Sequence, residues 1–405
     1  MVPQSKSDTS TEPEFPSLFK AAFTQLAIDN HAHPLLREDM RDKLAFEGLI
    51  SEAEGEALTE DAVDTLACFR ATKQLAQLFG LDKNTSWEEV KRHRAAMRYM
   101  DLCKLCFKDA GIHSILIDDG LGGAADMAEG YKWHDQLTEG KTKRIVRVEI
   151  VAEVRVDVQV TSAELEGLLD LFEGEFKKTL TESAREEDVV GFKSIVCYRT
   201  GMNVSVVGRD DEKVAAFAEV FEMYKSRKGE IRLAHKALND EIVRIALGVA
   251  GECRIPVQFH TGLGDSDITL TLASPAHLQP VIKAFPETQF VLLHSSYPYT
   301  REAGYLTAVY RNVYLDFGEV FPFVSGDGQR TIIRQVLELA PTNKIMWSSD
   351  GHWWPESYYL GVFQAREALY EVLSEFVRKE EMTEGEAVKV IGRCLYDTAA
   401  RVYQL

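Results

Sequence analysis

The stretch RIPVQFH at residues 254–260 is a short apolar run that ends in a polar residue, and the pattern it begins decides the fold. TQFVLLH (288–294), RNVYLDF (311–317) and NKIMWSSD (343–350) follow at regular intervals, with a helix-length segment in each gap. Strands that are continuously apolar are typical of a parallel sheet that is covered on both faces. The C-terminal half of the chain therefore predicts alternating β-strands and α-helices.

Similar runs occur in the N-terminal half. They are FTQLAID (23–29), GIHSILID (111–118), RIVRVEIVAEV (144–154) and VVGFKSIVCY (189–198). Eight such units fit a closed (β/α)8 barrel, the TIM barrel, better than an open sheet. Residues 35–110, after the first run, have helical periodicity and predict a helical insertion after strand one. We expect residues 1–20 to be a disordered tail and residues 21–405 to form one barrel domain.

Composition and charge limit the partners of this chain. It has 405 residues, with 46 Lys and Arg against 64 Asp and Glu, and the formal net charge of -18 opposes binding to nucleic acid or to an anionic membrane. No apolar run approaches the roughly 20 residues that span a bilayer, and the polar N-terminus does not resemble a signal peptide. We therefore expect a cytoplasmic protein that acts on a small molecule. The sequence leaves open whether it forms a homo-oligomer.

Side chains that could bind a metal stand at the ends of the predicted strands. His31 and His33 lie one residue apart at the end of strand one, so a strand would direct both to the same face. Strands five, six and eight end in His260, His294 and Asp350, and strand four carries Lys193. Because the strand ends of a parallel barrel meet at one mouth, these residues predict a divalent metal site there. Zinc is the first choice, and manganese is the alternative.

Several longer stretches resemble the amidohydrolase superfamily. They are DNHAHPLL, GFKSIVCYRTG, HTGLGD, VLLHSSYPYTREAGYLTAVYRNVYLDFG and WSSDGHWWPESYYLG. The chain is most similar to the amidohydrolase-2 branch, in particular to the amidohydrolase part of fungal FluG-like and plant nodulin/glutamine-synthetase-like proteins. The resemblance covers nearly the whole chain after the first twenty residues, and it implies a metal-dependent barrel enzyme.

The resemblance also implies roles for individual residues. The metal ligands would be His31, His33, His260 and Asp350, and Asp350 would also take a proton from water. His294 would bind a second metal, as in binuclear relatives, or act as a free acid or base, as in mononuclear members of the branch. Lys193 would be carboxylated and bridge two metals, or it would be an ordinary interior lysine. Because members of this branch commonly work with one metal, we expect one metal per chain.

The implied reaction is hydrolysis of a C–N bond of the amide type, with Asp350, His294 and Arg199 as the acting residues. Arg199 would hold a substrate carboxylate through a two-pronged ion pair, or it would pair with Asp265 or Glu319 to fix the loops. Because related barrels are fused to a domain that resembles a γ-glutamyl ligase, a γ-glutamyl amide is the substrate suggested by analogy. A non-oxidative decarboxylase of a small organic acid is the alternative. A regulatory or scaffold protein on a degenerate barrel is a third hypothesis, and the complete set of strand-end residues argues against it.

Overall fold

The computed structural model describes residues 12–156, 165–208, 210–227 and 232–405. Its centre is a parallel sheet of eight strands that follow one another in chain order. The strands are β1 (Ala27–Ala32), β2 (Ile112–Asp118), β3 (Lys143–Arg147), β4 (Val189–Ser194), β5 (Val257–Phe259), β6 (Phe290–Leu292), β7 (Val313–Asp316) and β8 (Ile345–Met346). Backbone hydrogen bonds from Asn30 N to Trp347 O (3.3 Å) and from Asp350 N to His31 O (3.1 Å) join the end of β8 to β1. The predicted (β/α)8 barrel is confirmed.

At least one α-helix lies in every connection between consecutive strands, as a parallel sheet requires. The helices are α1 (Pro16–Thr24), α2 (Leu66–Leu78), α3 (Trp87–Ala96), α4 (Tyr99–Phe107), α5 (Ala124–Met127), α6 (Val148–Val156), α7 (Leu165–Ser183), α8 (Asp210–Arg227), α9 (Lys236–Cys253), α10 (Gln279–Ala284), α11 (Thr300–Val309), α12 (Val320–Phe323), α13 (Gly326–Leu339), α14 (Pro355–Arg378), α15 (Glu384–Gly392) and α16 (Thr398–Val402). Within the described part of the chain, none of these helices has the length and apolar character needed to cross a membrane.

The barrel interior is a packed core. One cluster of buried residues joins side chains from six strands, and it also includes residues of α16 and the Tyr403 that follows it. The Tyr403 hydroxyl reaches into this interior, where it accepts a hydrogen bond from Gln258 Nε2 (2.7 Å) and lies 3.2 Å from Asn30 Oδ1. The C-terminal segment thus packs against the interior side chains that lie beneath the strand ends.

The start of the barrel differs from the expectation. The predicted first strand covers residues 23–29, but α1 runs to Thr24 and β1 begins at Ala27. Helix α1 also begins inside the expected disordered tail of residues 1–20, of which residues 1–11 lie outside the described residues. The cause is burial: Leu18 and Ala22 face α14 and α15 and are fully buried, so this segment belongs to the barrel.

The predicted third strand, residues 144–154, is too long. Strand β3 ends at Arg147 and helix α6 begins at Val148. Val148 and Ala152, four residues apart, are both fully buried, which is the spacing of a helix face. A continuous apolar run does not distinguish a buried strand from a buried helix, and this run contains both.

Residues 35–110 contain α2, α3, α4 and several short turns. This segment has a core of its own, in which Phe46 stacks on Trp87 and meets Trp354 of the barrel edge-on. A buried ion pair joins α3 to α14: Arg94 Nε lies 2.5 Å from Glu356 Oε1, and the side chains are 4% and 0% exposed. The segment is therefore fixed to the helix that directly follows the end of the eighth strand.

We predict that Arg94→Ala lowers the free energy of unfolding by about 3–5 kcal/mol, because it leaves Glu356 as a buried, uncompensated charge. Urea unfolding followed by circular dichroism measures this change. Arg98→Ala, which removes an 86% exposed arginine from the same segment, is the matched control and should change little. A double Arg94→Leu/Glu356→Leu variant should be more stable than Arg94→Ala, and a double variant that is equally unstable would contradict the explanation.

Candidate metal centre

The ends of β1, β5, β6 and β8 bring the five predicted strand-end residues together at one mouth of the barrel. His31, His33, His260, His294 and Asp350 are each at most 8% exposed. The imidazole centroids of His31 and His33 lie 4.9 Å apart, those of His31 and His294 5.5 Å, and those of His260 and His294 4.3 Å. The residues that the sequence placed at separate strand ends thus form a single buried cluster.

Two imidazoles converge on one carboxylate oxygen. Asp350 Oδ1 lies 3.3 Å from His31 Nε2 and 3.6 Å from His33 Nε2, and among the described residues it makes no hydrogen bond. His33 Nδ1 lies 2.8 Å from the Asp118 carbonyl oxygen, to which it must donate. Burial lowers the pKa of His33 to about 3, so the ring is neutral and its lone pair is on Nε2. His33 Nε2 therefore has the protonation state that a metal ligand needs.

Asp118 is close to the same imidazoles, but its charge is already balanced. Its Oδ2 accepts hydrogen bonds from Arg147 Nη2 (2.6 Å) and Nε (3.0 Å). Burial acts to raise the pKa of Asp118, but Arg147 and the other positive neighbours outweigh it, so the pKa lies well below its usual range. Asp118 therefore orients His33 through its carbonyl group while Arg147 neutralises its carboxylate. Sequence reasoning missed both residues, although Asp118 ends strand two as the other site residues end theirs.

His294 connects the first group to a second one. Ligand atoms of His294, His31 and Asp350 lie within 4.8 Å of one another, and so do those of His294, His260 and Glu319. His294 Nδ1 is 3.6 Å from Glu319 Oε2. In the described part of the chain, neither ring nitrogen of His294 makes a hydrogen bond. His260, which we expected beside Asp350, is thus grouped with His294 and Glu319.

Lys193 and Arg199 have different surroundings. Lys193 is 1% exposed in β4, and its Nζ lies 2.9 Å from His31 Nε2. Arg199 Nη2 instead contacts Glu153 Oε1 at 3.2 Å, so the expected pairing of Arg199 with Asp265 or Glu319 is not the one found. The reason is the early end of β3, because Glu153 belongs to helix α6 and reaches Arg199 from there.

The backbone is strained where the site residues stand. His294, Glu319 and Asp350 have φ values of +67°, +60° and +51°, in the left-handed region that non-glycine residues rarely adopt. Ser295 and Ser296 continue this conformation. Each such residue costs about 1–3 kcal/mol, and strain of this kind clusters at functional sites. Surrounding contacts must hold these side chains in place.

Two buried carboxylates beneath the mouth supply such contacts. Asp316 Oδ2 accepts hydrogen bonds from His294 N (3.1 Å) and Gly318 N (2.9 Å), one residue before Glu319. Asp29 Oδ1 accepts a hydrogen bond from Ser349 N (2.8 Å), one residue before Asp350. Sequence reasoning missed both aspartates: Asp29 ends the predicted first strand, two residues before His31, and Asp316 lies within the predicted seventh strand.

This donor set fits a divalent metal ion. Asp350 Oδ1, Glu319 Oε2 and both nitrogens of His294 are buried, and among the described residues none of these atoms has a hydrogen-bond partner. Unpaired buried polar atoms are costly, and a cation bound between them would satisfy several at once. Imidazole nitrogens and carboxylate oxygens are the donors that zinc and manganese accept in proteins.

Comparisons with known proteins identify relatives of this chain. The family model described as amidohydrolase matches residues 168–405. Protein fluG of Emericella nidulans is 40% identical, over 94% of this chain and 46% of its own length, so the chain spans about half of that relative.

Solved structures share the architecture. A candidate metal-dependent hydrolase from Lactobacillus casei superposes with a TM-score of 0.79 and 27% identity, covering 95% of this chain and 96% of its own. A uronate isomerase from Bacillus halodurans has the same fold, with a TM-score of 0.65, 16% identity and coverage of 96% and 95%. From the family model, the fungal relative and the barrel with its buried donor cluster, we conclude that this chain belongs to the amidohydrolase family.

Proposed function

We propose that the chain is a metal-dependent hydrolase that cleaves a C–N bond of the amide type in a small molecule. The observation that carries the proposal is the convergence of His31 Nε2 and His33 Nε2 on Asp350 Oδ1, at 3.3 Å and 3.6 Å, in a buried part of the barrel mouth. Membership in the amidohydrolase family supports the reaction class. These three residues would hold the ion, with zinc as our first choice and manganese as the alternative.

When bound there, the ion supplies a Lewis acid and lowers the pKa of water, which makes water a nucleophile near neutral pH. Asp350 accepts the proton from the attacking water and returns it to the leaving nitrogen. The Asp350 carboxylate is placed for this role, because its Oδ1 is buried, lies 3.3 Å from His31 Nε2 and makes no hydrogen bond among the described residues. Burial keeps the pKa of His294 well below its usual value, so the ring is neutral and can donate or accept a hydrogen bond.

For the substrate we propose a γ-glutamyl amide, by analogy with the fused relatives of this barrel. Arg199 would bind its carboxylate. Although Arg199 Nη2 is paired with Glu153, its Nε is buried and makes no hydrogen bond within the described residues, so the guanidinium retains a free donor. Glu153 must share or release Arg199 when this substrate binds.

The test of the reaction is a panel of amides and small organic acids offered to the metal-loaded protein. We expect ammonia or amine to be released from γ-glutamyl amides, with no CO2 from the acids. Release of CO2 without any hydrolysis would contradict the proposal and favour the decarboxylase alternative. Release of amine only from other amides would support the proposed amide hydrolysis and contradict a γ-glutamyl amide as the substrate.

We predict that His33→Ala loses the bound metal and lowers activity by at least a hundredfold, because one of the three converging donors disappears. The fold should remain, since His33 lies at the barrel mouth and not in its packed interior. Elemental analysis and a thermal melt measure the two effects. His277→Ala, which removes a histidine bonded to the Thr271 carbonyl group away from the cluster, is the control and should keep both metal and activity. Wild-type metal content in His33→Ala would remove His33 from the site.

We predict that Asp350→Asn reduces activity by a larger factor than metal content. The amide keeps an oxygen and nearly the same shape, but it cannot take the proton from water. Parallel measurement of kcat and of metal per chain at saturating metal makes the comparison. If kcat returns to the wild-type value when more metal is added, Asp350 acts only as a ligand.

A further inference from the structure

The helical insertion contacts two loops of the barrel mouth within a few residues. The Gly48 carbonyl oxygen lies 3.4 Å from Nε2 of His352, in the loop after β8. Glu54 Oε2 accepts a hydrogen bond of 2.9 Å from Ser266 Oγ, in the loop after β5. We call residues 48–54 the covering segment, because they connect these two loops at the end of the barrel where parallel-barrel enzymes bind their substrates.

The covering segment has a fixed position. Leu49 and Ile50 are buried in the core of the insertion. Gly48 lies so close to Trp354 that a Cβ atom added to it would come within 3.0 Å of the ring. These buried contacts on one side, and the hydrogen bond of Glu54 on the other, hold the middle of the segment in place.

Glu52, in the middle of the segment, faces the donor cluster. Its side chain is partly buried, and in the described part of the chain no hydrogen bond or ion pair includes it. Its carboxyl group interacts electrostatically with groups that follow four different strands: Tyr198, Asp265, Glu319, Asp350 and His352. Glu52 is thus an acid of the insertion that the loops of the barrel mouth surround.

The charges around Glu52 favour a positively charged ligand. Burial raises the pKa of Glu52 to about 7, with His352 acting against this change and with Asp350 and Asp265 adding to it. Burial also raises the pKa of Asp265. A cation close to these acids would favour their ionised forms and offset the repulsion between them. This side of the mouth therefore suits a cation better than an anion.

Buried atoms without partners lie in the same mouth. Glu319, whose pKa burial raises well above its usual value, has an Oε2 atom that makes no hydrogen bond among the described residues. This atom lies 3.6 Å from His294 Nδ1, which makes none there either. Both side chains are at most 2% exposed. Because buried polar atoms without partners are costly, they indicate that a polar molecule binds in the mouth that Glu52 faces.

We propose that Glu52 binds an ammonium group of the substrate, which in a γ-glutamyl amide is the α-ammonium group. The inference rests on the proposed function, which supplies this substrate. The Glu52 carboxylate would accept a charge-assisted hydrogen bond from the ammonium nitrogen. Tyr198, with which Glu52 interacts, directly precedes Arg199 in the chain. Because the α-carboxylate and the α-ammonium group share one carbon atom, Arg199 and Glu52 would act on the same end of the substrate.

A purely structural role does not account for Glu52. Glu54 already joins the covering segment to the loop after β5 through Ser266, whereas Glu52 makes no such bond among the described residues. An acid placed close to Asp350 and Asp265 destabilises the fold unless a positive group compensates it. An ammonium group of the substrate would supply this compensation.

The experiment compares two ligands that differ only in the ammonium group. L-Glutamate, the acid that hydrolysis of a γ-glutamyl amide releases, and glutarate are each titrated into the metal-loaded full chain by calorimetry. We expect the wild type to bind L-glutamate about tenfold more tightly than glutarate, and Glu52→Gln to bind the two within about threefold of each other. Glu56→Gln, which removes an exposed acid four residues further along the chain, is the matched control and should keep the wild-type preference.

Hydrolysis provides a second measurement. Glu52→Gln should raise the KM for γ-glutamyl amides about tenfold and leave kcat nearly unchanged, because the ammonium group is bound alike in the ground state and the transition state. For glutaryl amides, which lack the ammonium group, both constants should stay near the wild-type values.

Equal binding of L-glutamate and glutarate by the wild type, or binding of neither, would overturn the inference. An unchanged preference in Glu52→Gln would also overturn it, and so would an equally large loss in Glu56→Gln, since the effect would then be one of net charge. A thermal melt shows whether Glu52→Gln folds. If it does not, Glu52→Ala must show the same loss of preference for the inference to stand.

The two proposals fail in different ways. Equal hydrolysis of glutaryl and γ-glutamyl amides by the wild type would overturn the role of Glu52 and leave the proposed reaction intact. A preference for L-glutamate that depends on Glu52, in a protein that hydrolyses no amide, would contradict the proposed function and support the ammonium site.

Discussion

The arrangement of side chains at the barrel mouth depends on one buried carboxylate, that of Asp350 at the end of the eighth strand. Asp350 is 8% exposed, its backbone is strained, and two imidazole nitrogens converge on one of its oxygens. Removing a carboxylate from water costs several kcal/mol unless positive groups or hydrogen bonds compensate it. His33 presents the lone pair of Nε2 and not a proton, because its Nδ1 donates to the Asp118 carbonyl group, and the cation of the proposed function would compensate the carboxylate here.

Hydrogen bonds to two buried aspartates hold the strained backbone near Asp350 and His294 in place. Asp29 and Asp316 use their carboxylates to hold the backbone just before Asp350 and at His294, so the strained residues cannot relax away from the cluster. Both side chains are fully buried, and this burial raises the pKa of Asp29 to about 8 and that of Asp316 to about 6. Two acids outside the donor cluster therefore fix the backbone from which Asp350 and His294 project.

Much of the architecture was predictable because a parallel barrel repeats one pattern. Each apolar run found in the sequence overlaps a strand, and the residues at the strand ends share one mouth because parallel strands all point the same way. The boundary of β3 was not predictable, since helix α6 continues the same apolar composition. For the same reason the ion pair between Arg199 and Glu153 was not predicted, because Glu153 lies in helix α6 and not in a strand. Asp29 and Asp316 could not be recognised either, since their partners are distant in the chain and hydrogen-bond geometry leaves no periodicity in the sequence.

The hydrogen bonds that join the end of β8 to β1 also determine when, during synthesis of the chain, the donor cluster can form. His31 and His33 leave the ribosome more than three hundred residues before Asp350. A nascent chain that lacks its last strand has His31 and His33 but not Asp350, on which they converge. Its set of possible metal ligands is therefore incomplete. Under the proposed function, an ion would therefore bind only after the eighth strand has been synthesised and has joined the sheet.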